Sequence, residues 1–127
     1  MTERGAVERI VRQLHQARIA GDLAGMCLLF AERGRFEILG ASADKPIAIR
    51  AEGIDAFRPW LAMMTKVFRL TGYELLSLIV EQPRAAAHWR VDILSKVTGT
   101  TVPTELVDLI EIEGERITSY REFFVPR

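Results

Sequence analysis

The sequence predicts an α+β domain: a conical, curved antiparallel sheet with three helices, all in the N-terminal half, around an internal pocket. Three observations carry this. Apolar residues recur at helical spacing early in the chain and again after Ile54. From Tyr73 onward strand formers dominate, and the spacing switches to alternation. Turn residues then fold those strands back on one another as a meander, which leaves the helices on one face of the sheet.

The elements follow in order. Val7, Ile10, Val11 and Leu14 form an apolar stripe, and a helix is expected over about 4–19. Gly21 breaks it, and Asp22 is a natural N-cap for a second helix over about 23–31, with Leu23, Met26, Cys27 and Phe30 on one face. Arg35 to Leu39 reads as a short strand, Gly40 to Pro46 as a loop, and Ile47 to Ile49 as a brief edge strand. A third helix spans about Ile54 to Phe68, with Ile54, Phe57, Leu61, Met64 and Phe68 on one face. An interior proline removes a hydrogen bond and clashes with the preceding turn, so Pro59 predicts a regular start only near Phe57. Strands are expected over Tyr73–Glu81, Ala85–Val97, Thr104–Glu113 and Arg116–Val125, with turns at Gln82-Pro83-Arg84, Thr98 to Thr101 and Gly114-Glu115. In the second of these, Trp89, Val91 and Ile93 take one face and His88, Arg90, Asp92 and Lys96 the other.

Composition narrows the function classes. The 127 residues fit one domain, 1–127, and 49% of them are hydrophobic, enough for a real core. Seventeen basic residues balance seventeen acidic ones without a charged run, so neither nucleic acid nor a membrane surface is an expected partner. The charged first residues carry no apolar signal core, and a cytoplasmic address is the default expectation. Cys27 is the only cysteine, and the two histidines lie on different elements without ligand spacing, so no metal site is expected. Phosphate-binding glycine loops, dinucleotide fingerprints and nucleophile elbows are missing from the sequence, so no cofactor is expected either.

Several runs point to a family. Ala20-Gly21-Asp22-Leu23, then Leu29-Phe30-Ala31, resembles the N-terminal helix pair of the nuclear-transport-factor-2-like superfamily. Gly53-Ile54 with Phe57, and the ending from Gly114 to Phe124, resemble its SnoaL-like and ketosteroid-isomerase-like branch. The resemblance covers nearly the whole chain. It implies a conical α+β barrel with a deep pocket and, commonly, a homodimer. The chain departs from ketosteroid isomerases: Leu14 falls at their tyrosine position and Ile38 at their aspartate base, and only Asp108 resembles their acid position. Isoleucine cannot act as a base, so steroid isomerisation of that kind is rejected.

Limonene epoxide hydrolases give a partial match. Arg90-Val91-Asp92 has the spacing of their Arg-x-Asp pair, and Glu122 stands at their second acid. Residues i and i+2 of a strand share a face about 7 Å apart. Two acids sharing one arginine have pKa values pushed apart, which allows one to act as base and the other as acid. The tyrosine and asparagine that hold water in that family correspond to Phe36 and Ile38. Asp108 depends on register. A two-residue turn at Gly114-Glu115 pairs it with Arg121, and a three-residue turn pairs it with Glu122 inside the cone.

The expected site thus has Asp92 as base, Arg90 as orienter, and Glu122 or Asp108 as acid. Phe36, Ile38, Trp60 and Met64 bound the pocket, with His88 and Tyr120 beside the polar groups. Three functions fit: a cofactor-independent acid–base enzyme acting on a hydrophobic carbonyl or epoxide compound, a non-catalytic binder of a small hydrophobic molecule, or a dimerisation module. The dimer is expected through an outward apolar face built on Trp89, Val91 and Ile93, with Val107 and Leu109 beside them.

Overall fold

A computed structural model describes residues 4–41 and 46–126. The elements run α1 (Arg4–Ala20), α2 (Leu23–Leu28), β1 (Phe30–Ala41), β2 (Pro46–Glu52), α3 (Ile54–Val67), β3 (Phe68–Glu81), β4 (Arg84–Ser95), β5 (Thr101–Glu113) and β6 (Arg116–Pro126). Six strands form one sheet in the order β2-β1-β6-β5-β4-β3. Five neighbouring pairs make this sheet, and four are antiparallel. The pair β1–β6 is parallel, so the sheet is mixed rather than wholly antiparallel.

Local chemistry explains most boundaries. Asp22 caps α2, its carboxylate accepting from the Gly25 N–H. That helix stops at Leu28, shorter than the spacing predicts, because Phe30 enters β1 as the parallel partner of Ile117. Tertiary pairing overrides helical periodicity there. Helix α3 begins at Ile54, earlier than Pro59 suggests. The bond that proline cannot donate would have gone to the Asp55 carbonyl, on an exposed residue where water can serve as the donor. Most of the loop predicted between Gly40 and Pro46 lies outside the described residues.

Two apolar groups make the interior. Val7, Ile10, Val11 and Leu14 of α1 pack with Phe30, Phe36, Phe57 and Tyr120, and the last three rings stack about Phe36 at centroid separations of 5.3 and 5.7 Å. Trp89, Val91 and Leu106 form a second cluster on the concave face of β4 and β5. This reverses the predicted orientation of β4. Its alternation is as expected, but the apolar face points into the cone, with Trp89 fully buried.

Candidate functional site

The concave face encloses a cavity of about 640 Å³. Its wall is mainly apolar, including Ile38 of β1, Met64 of α3, Leu70 of β3, Ile93 of β4 and Phe124 of β6. Thr65, Ser95, Thr98, Thr100 and Thr104 are its hydroxyl-bearing members among the described residues. Among the described residues, two charged side chains line it, Arg18 and Glu122.

Arg18 stands on α1 in the same row as Val7, Val11 and Leu14, at helical spacing, so the face that builds the core also carries a guanidinium inward. Its Nη1 donates to Glu122 Oε2 and to the Tyr120 hydroxyl, the latter at 3.2 Å. The Tyr120 hydroxyl in turn donates to Glu122 Oε2 at 2.5 Å. The Arg18 and Glu122 side chains are 9% and 3% exposed. Arg18 also lies over the Trp89 ring, 5.1 Å from its centroid.

A second buried acid adjoins them. Asp108 of β5 is the cross-strand partner of Glu122, and both are buried on the concave face. The turn at Gly114-Glu115 has two residues, which alone would pair Asp108 with Arg121. A bulge at Thr118, between the pairs Ile112–Ile117 and Glu111–Ser119, shifts the register by one and brings the two acids together. Asp108 Oδ2 accepts from the Trp89 indole N–H at 2.9 Å and meets His15 Nε2 at 2.8 Å. The other ring nitrogen of His15 meets the Tyr73 hydroxyl at 2.8 Å. Asp108 Oδ1 is buried with no hydrogen-bond partner among the described residues.

One guanidinium thus serves two carboxyls in a dry site, and the protonation states follow. Burial pushes Asp108 up to about 6, against the pull of Arg18. Burial also raises Glu122, again opposed by Arg18, while Asp108 adds to the rise. Burial works to lower the Arg18 pKa, but the neighbouring Glu122, Tyr120 and Asp108 outweigh it and the net direction is up. His15 is pushed down to about 3 by burial and then by Arg18, so its ring is neutral at physiological pH. Tyr120 is raised well above its ordinary value by burial and stays a donor.

The residues predicted from the sequence divide sharply. Glu122, Asp108 and Tyr120 come together in this cluster, and Ile38 and Met64 line the cavity. Arg90 and Asp92 do not join them, because β4 turns its polar face outward. Arg90 pairs with Glu74 at 2.5 Å, both about half exposed. Asp92 sits over Gly72, whose φ of +65° suits glycine and where a Cβ would come within 2.9 Å of the carboxylate. His88 meets Glu105 at 3.4 Å on the same outer face. Phe36 is buried in the aromatic core rather than on the cavity wall. Trp60 is 41% exposed, because Phe57, Leu61 and Met64 take the inward face of α3. Arg18 was not singled out from the sequence, and His15 counted there only as one of two histidines without ligand spacing. The available signal was a charge and an imidazole in the apolar row of α1. Among the described residues, no group of three or more His, Cys, Asp and Glu side chains could hold a metal ion. No described helix is long and apolar enough to cross a membrane.

A helix-backed cone with a few buried polar groups at its floor defines a class of small α+β pocket proteins. Within that class the chain belongs to the SnoaL-like domain family, whose profile matches residues 11–120. Solved structures share the fold. A protein from Bacillus subtilis, provisionally named an isomerase, is 19% identical with a TM-score of 0.81, over 98% of this chain and 90% of its own. A nuclear-transport-factor-2-like protein from Burkholderia xenovorans is 20% identical with a TM-score of 0.77, over 98% and 93%. An LEH-like epoxide hydrolase from M. tuberculosis is 13% identical with a TM-score of 0.72, over 92% and 80%. At these identities the likeness is one of fold. No curated protein matches the sequence.

Proposed function

We propose that this protein binds a small hydrophobic carbonyl or epoxide compound in the cone and acts on it by cofactor-independent acid–base chemistry. The observation that carries the reading is the Arg18–Glu122–Tyr120 cluster beside a mainly apolar cavity. Glu122 is the base. Its Oε2 is held by Arg18 and Tyr120. Raised by burial, it takes a proton from carbon next to a carbonyl more readily than an ordinary carboxylate. Nη1 is the only Arg18 nitrogen with a hydrogen bond among the described residues, so its other N–H groups can meet the developing oxyanion. Asp108 is the second acid, poised to hold or return the proton. The related epoxide hydrolase and isomerase names are consistent with such proton transfers.

A second reading has its own observation. Phe36 is core and Ile38 is an apolar wall, so among the described residues β1 presents no polar side chain to the cavity that could position water. That favours a binder without turnover. Deuterium uptake next to the carbonyl of a panel of cyclic hydrophobic ketones, read by mass spectrometry, separates the two. The enzyme reading expects accelerated uptake that falls about 100-fold or more in Glu122→Gln while binding persists. Binding without uptake or epoxide opening in the wild type would leave the binder, and no binding at all would overturn both.

The outer face suggests a homodimer on a different patch from the one expected. Trp89 and Val91 are buried in the cone and cannot form it. Ile79, Ala86 and Leu109 instead lie in one register row across β3, β4 and β5, with Val107 nearby, and Ile79, Leu109 and Val107 are 64%, 39% and 37% exposed. We propose this stripe as the self-complementary interface.

A further inference from the structure

We propose that Tyr73, His15 and Asp108 form a proton relay that joins solvent beside β3 to the acid cluster at the cone floor, by a route separate from the cavity. Its use in turnover rests on the acid–base reading above, but its existence does not.

The geometry is a continuous chain. The Tyr73 hydroxyl is 2.8 Å from His15 Nδ1, and His15 Nε2 is 2.8 Å from Asp108 Oδ2. Asp108 and Glu122 are cross-strand partners on one face, which places their side chains side by side. Tyr73 is half-buried, whereas His15 and Asp108 are fully buried. None of the three is among the residues that line the cavity, while Arg18 and Glu122 are. A ligand that fills the cone therefore covers Glu122 but leaves the Tyr73 end open.

The ring is held for this task. Trp89 packs against His15 with centroids 4.4 Å apart and ring planes tilted by 33°, and Tyr73 packs edge-on at 5.5 Å. The groups facing the relay are Arg12 and Arg18 from α1, Tyr73 from β3, Trp89 from β4, and Tyr120 and Glu122 from β6. With burial and the arginines holding His15 neutral, exactly one of its nitrogens carries a proton. Two arrangements satisfy the chain. In the first, Asp108 is ionised, Nε2–H donates to it, and Tyr73 O–H donates to Nδ1. In the second, protonated Asp108 donates to Nε2, and Nδ1–H donates to the Tyr73 oxygen. Passing from first to second takes one proton from solvent onto the Tyr73 oxygen, moves the tyrosine proton to Nδ1 and the Nε2 proton to Asp108. One proton enters, one carboxylate is neutralised, and the ring changes tautomer without becoming charged. The Trp89 N–H donates to Asp108 Oδ2 in both. An Asp108 pKa of about 6 populates both arrangements near neutrality.

The test needs no substrate. The chain has two histidines, so protein carrying ¹⁵N-histidine gives two imidazoles, and His88→Gln assigns them. In the wild type, nitrogen shifts should report a neutral His15 ring whose tautomer ratio changes between about pH 5 and about pH 8. The same ratio should be independent of pH in Asp108→Asn. Exchange of the His15 N–H with solvent should slow in Tyr73→Phe by about tenfold or more, equal to about 1.4 kcal/mol on the exchange barrier. A single tautomer across that range, a charged ring, or an unchanged exchange rate would overturn the relay. These readouts come from ligand-free protein, so the relay can fail while the catalytic reading stands, and the reverse.

Discussion

Arg18 and Glu122 should behave as one unit. Their side chains are 9% and 3% exposed, and Glu122 has a second acid, Asp108, as its register partner. Arg18→Met leaves two carboxyls in a dry site without their cation. Glu122→Leu leaves a buried guanidinium facing hydrocarbon. Breaking a buried pair in this way typically costs about 3–5 kcal/mol. Replacing both partners removes both desolvation penalties, so the double variant should cost far less than the sum, with a coupling of at least about 2 kcal/mol. For a domain of this size each kcal/mol moves the melting temperature by roughly 3–5 °C, so each single variant should melt roughly 9–25 °C early. The outer face supplies the control. Arg90 and Glu74 make an ion pair of similar length, but are 51% and 52% exposed, and such pairs contribute roughly 0–1 kcal/mol. Urea denaturation and thermal melts of both four-protein cycles at neutral pH measure the difference. Additive effects below about 1 kcal/mol at Arg18 and Glu122 would refute the burial argument.

Two further outcomes are expected. Asp108 is raised from 3.8 to about 6 in the fold, so its contribution to stability is full below its unfolded value and is lost as pH rises through about 6. His15 is lowered from 6.5 to about 3, so its contribution is present above 6.5 and is lost as pH falls toward 3. The two slopes oppose each other between about pH 4 and about pH 6 in the wild type. His15→Gln removes one, so its stability relative to wild type should grow by about 3 kcal/mol on going from about pH 6.5 to about pH 4. Urea midpoints across that range check this, and parallel profiles would contradict it. Light scattering at micromolar concentration should give about twice the chain mass, and Leu109→Lys should halve it; a wild-type monomer would remove the proposed interface.

Much of the fold was legible because it depends on local period. Helical spacing over Val7–Leu14, alternation over Ala85–Ile93 and the turn at Gly114-Glu115 are properties of short segments, and α1, β4 and the β5–β6 hairpin appear where those patterns fall. The runs around Gly21 and Tyr120 placed the chain in its family, and the pairing of Asp108 with Glu122 was one of the two registers the sequence left open.

What the sequence by itself determined was which residues share a face; which face turns inward was decided only by the tertiary structure. For β4 the two choices read identically along the chain. The fold buries Trp89 and Val91 because removing that apolar surface from water outweighs any gain from enclosing Arg90 and Asp92, whose charges would lose their hydration. For β5 and β6 a single extra residue at Thr118 turns a register that separates Asp108 from Glu122 into one that joins them. Arg18 and His15 reach the same point from α1, 104 and 93 positions away from their partners along the chain. No local pattern records a contact at that separation. It exists because the helix that covers the sheet carries one cation and one imidazole on its inward face, and the buried acids make both stable there.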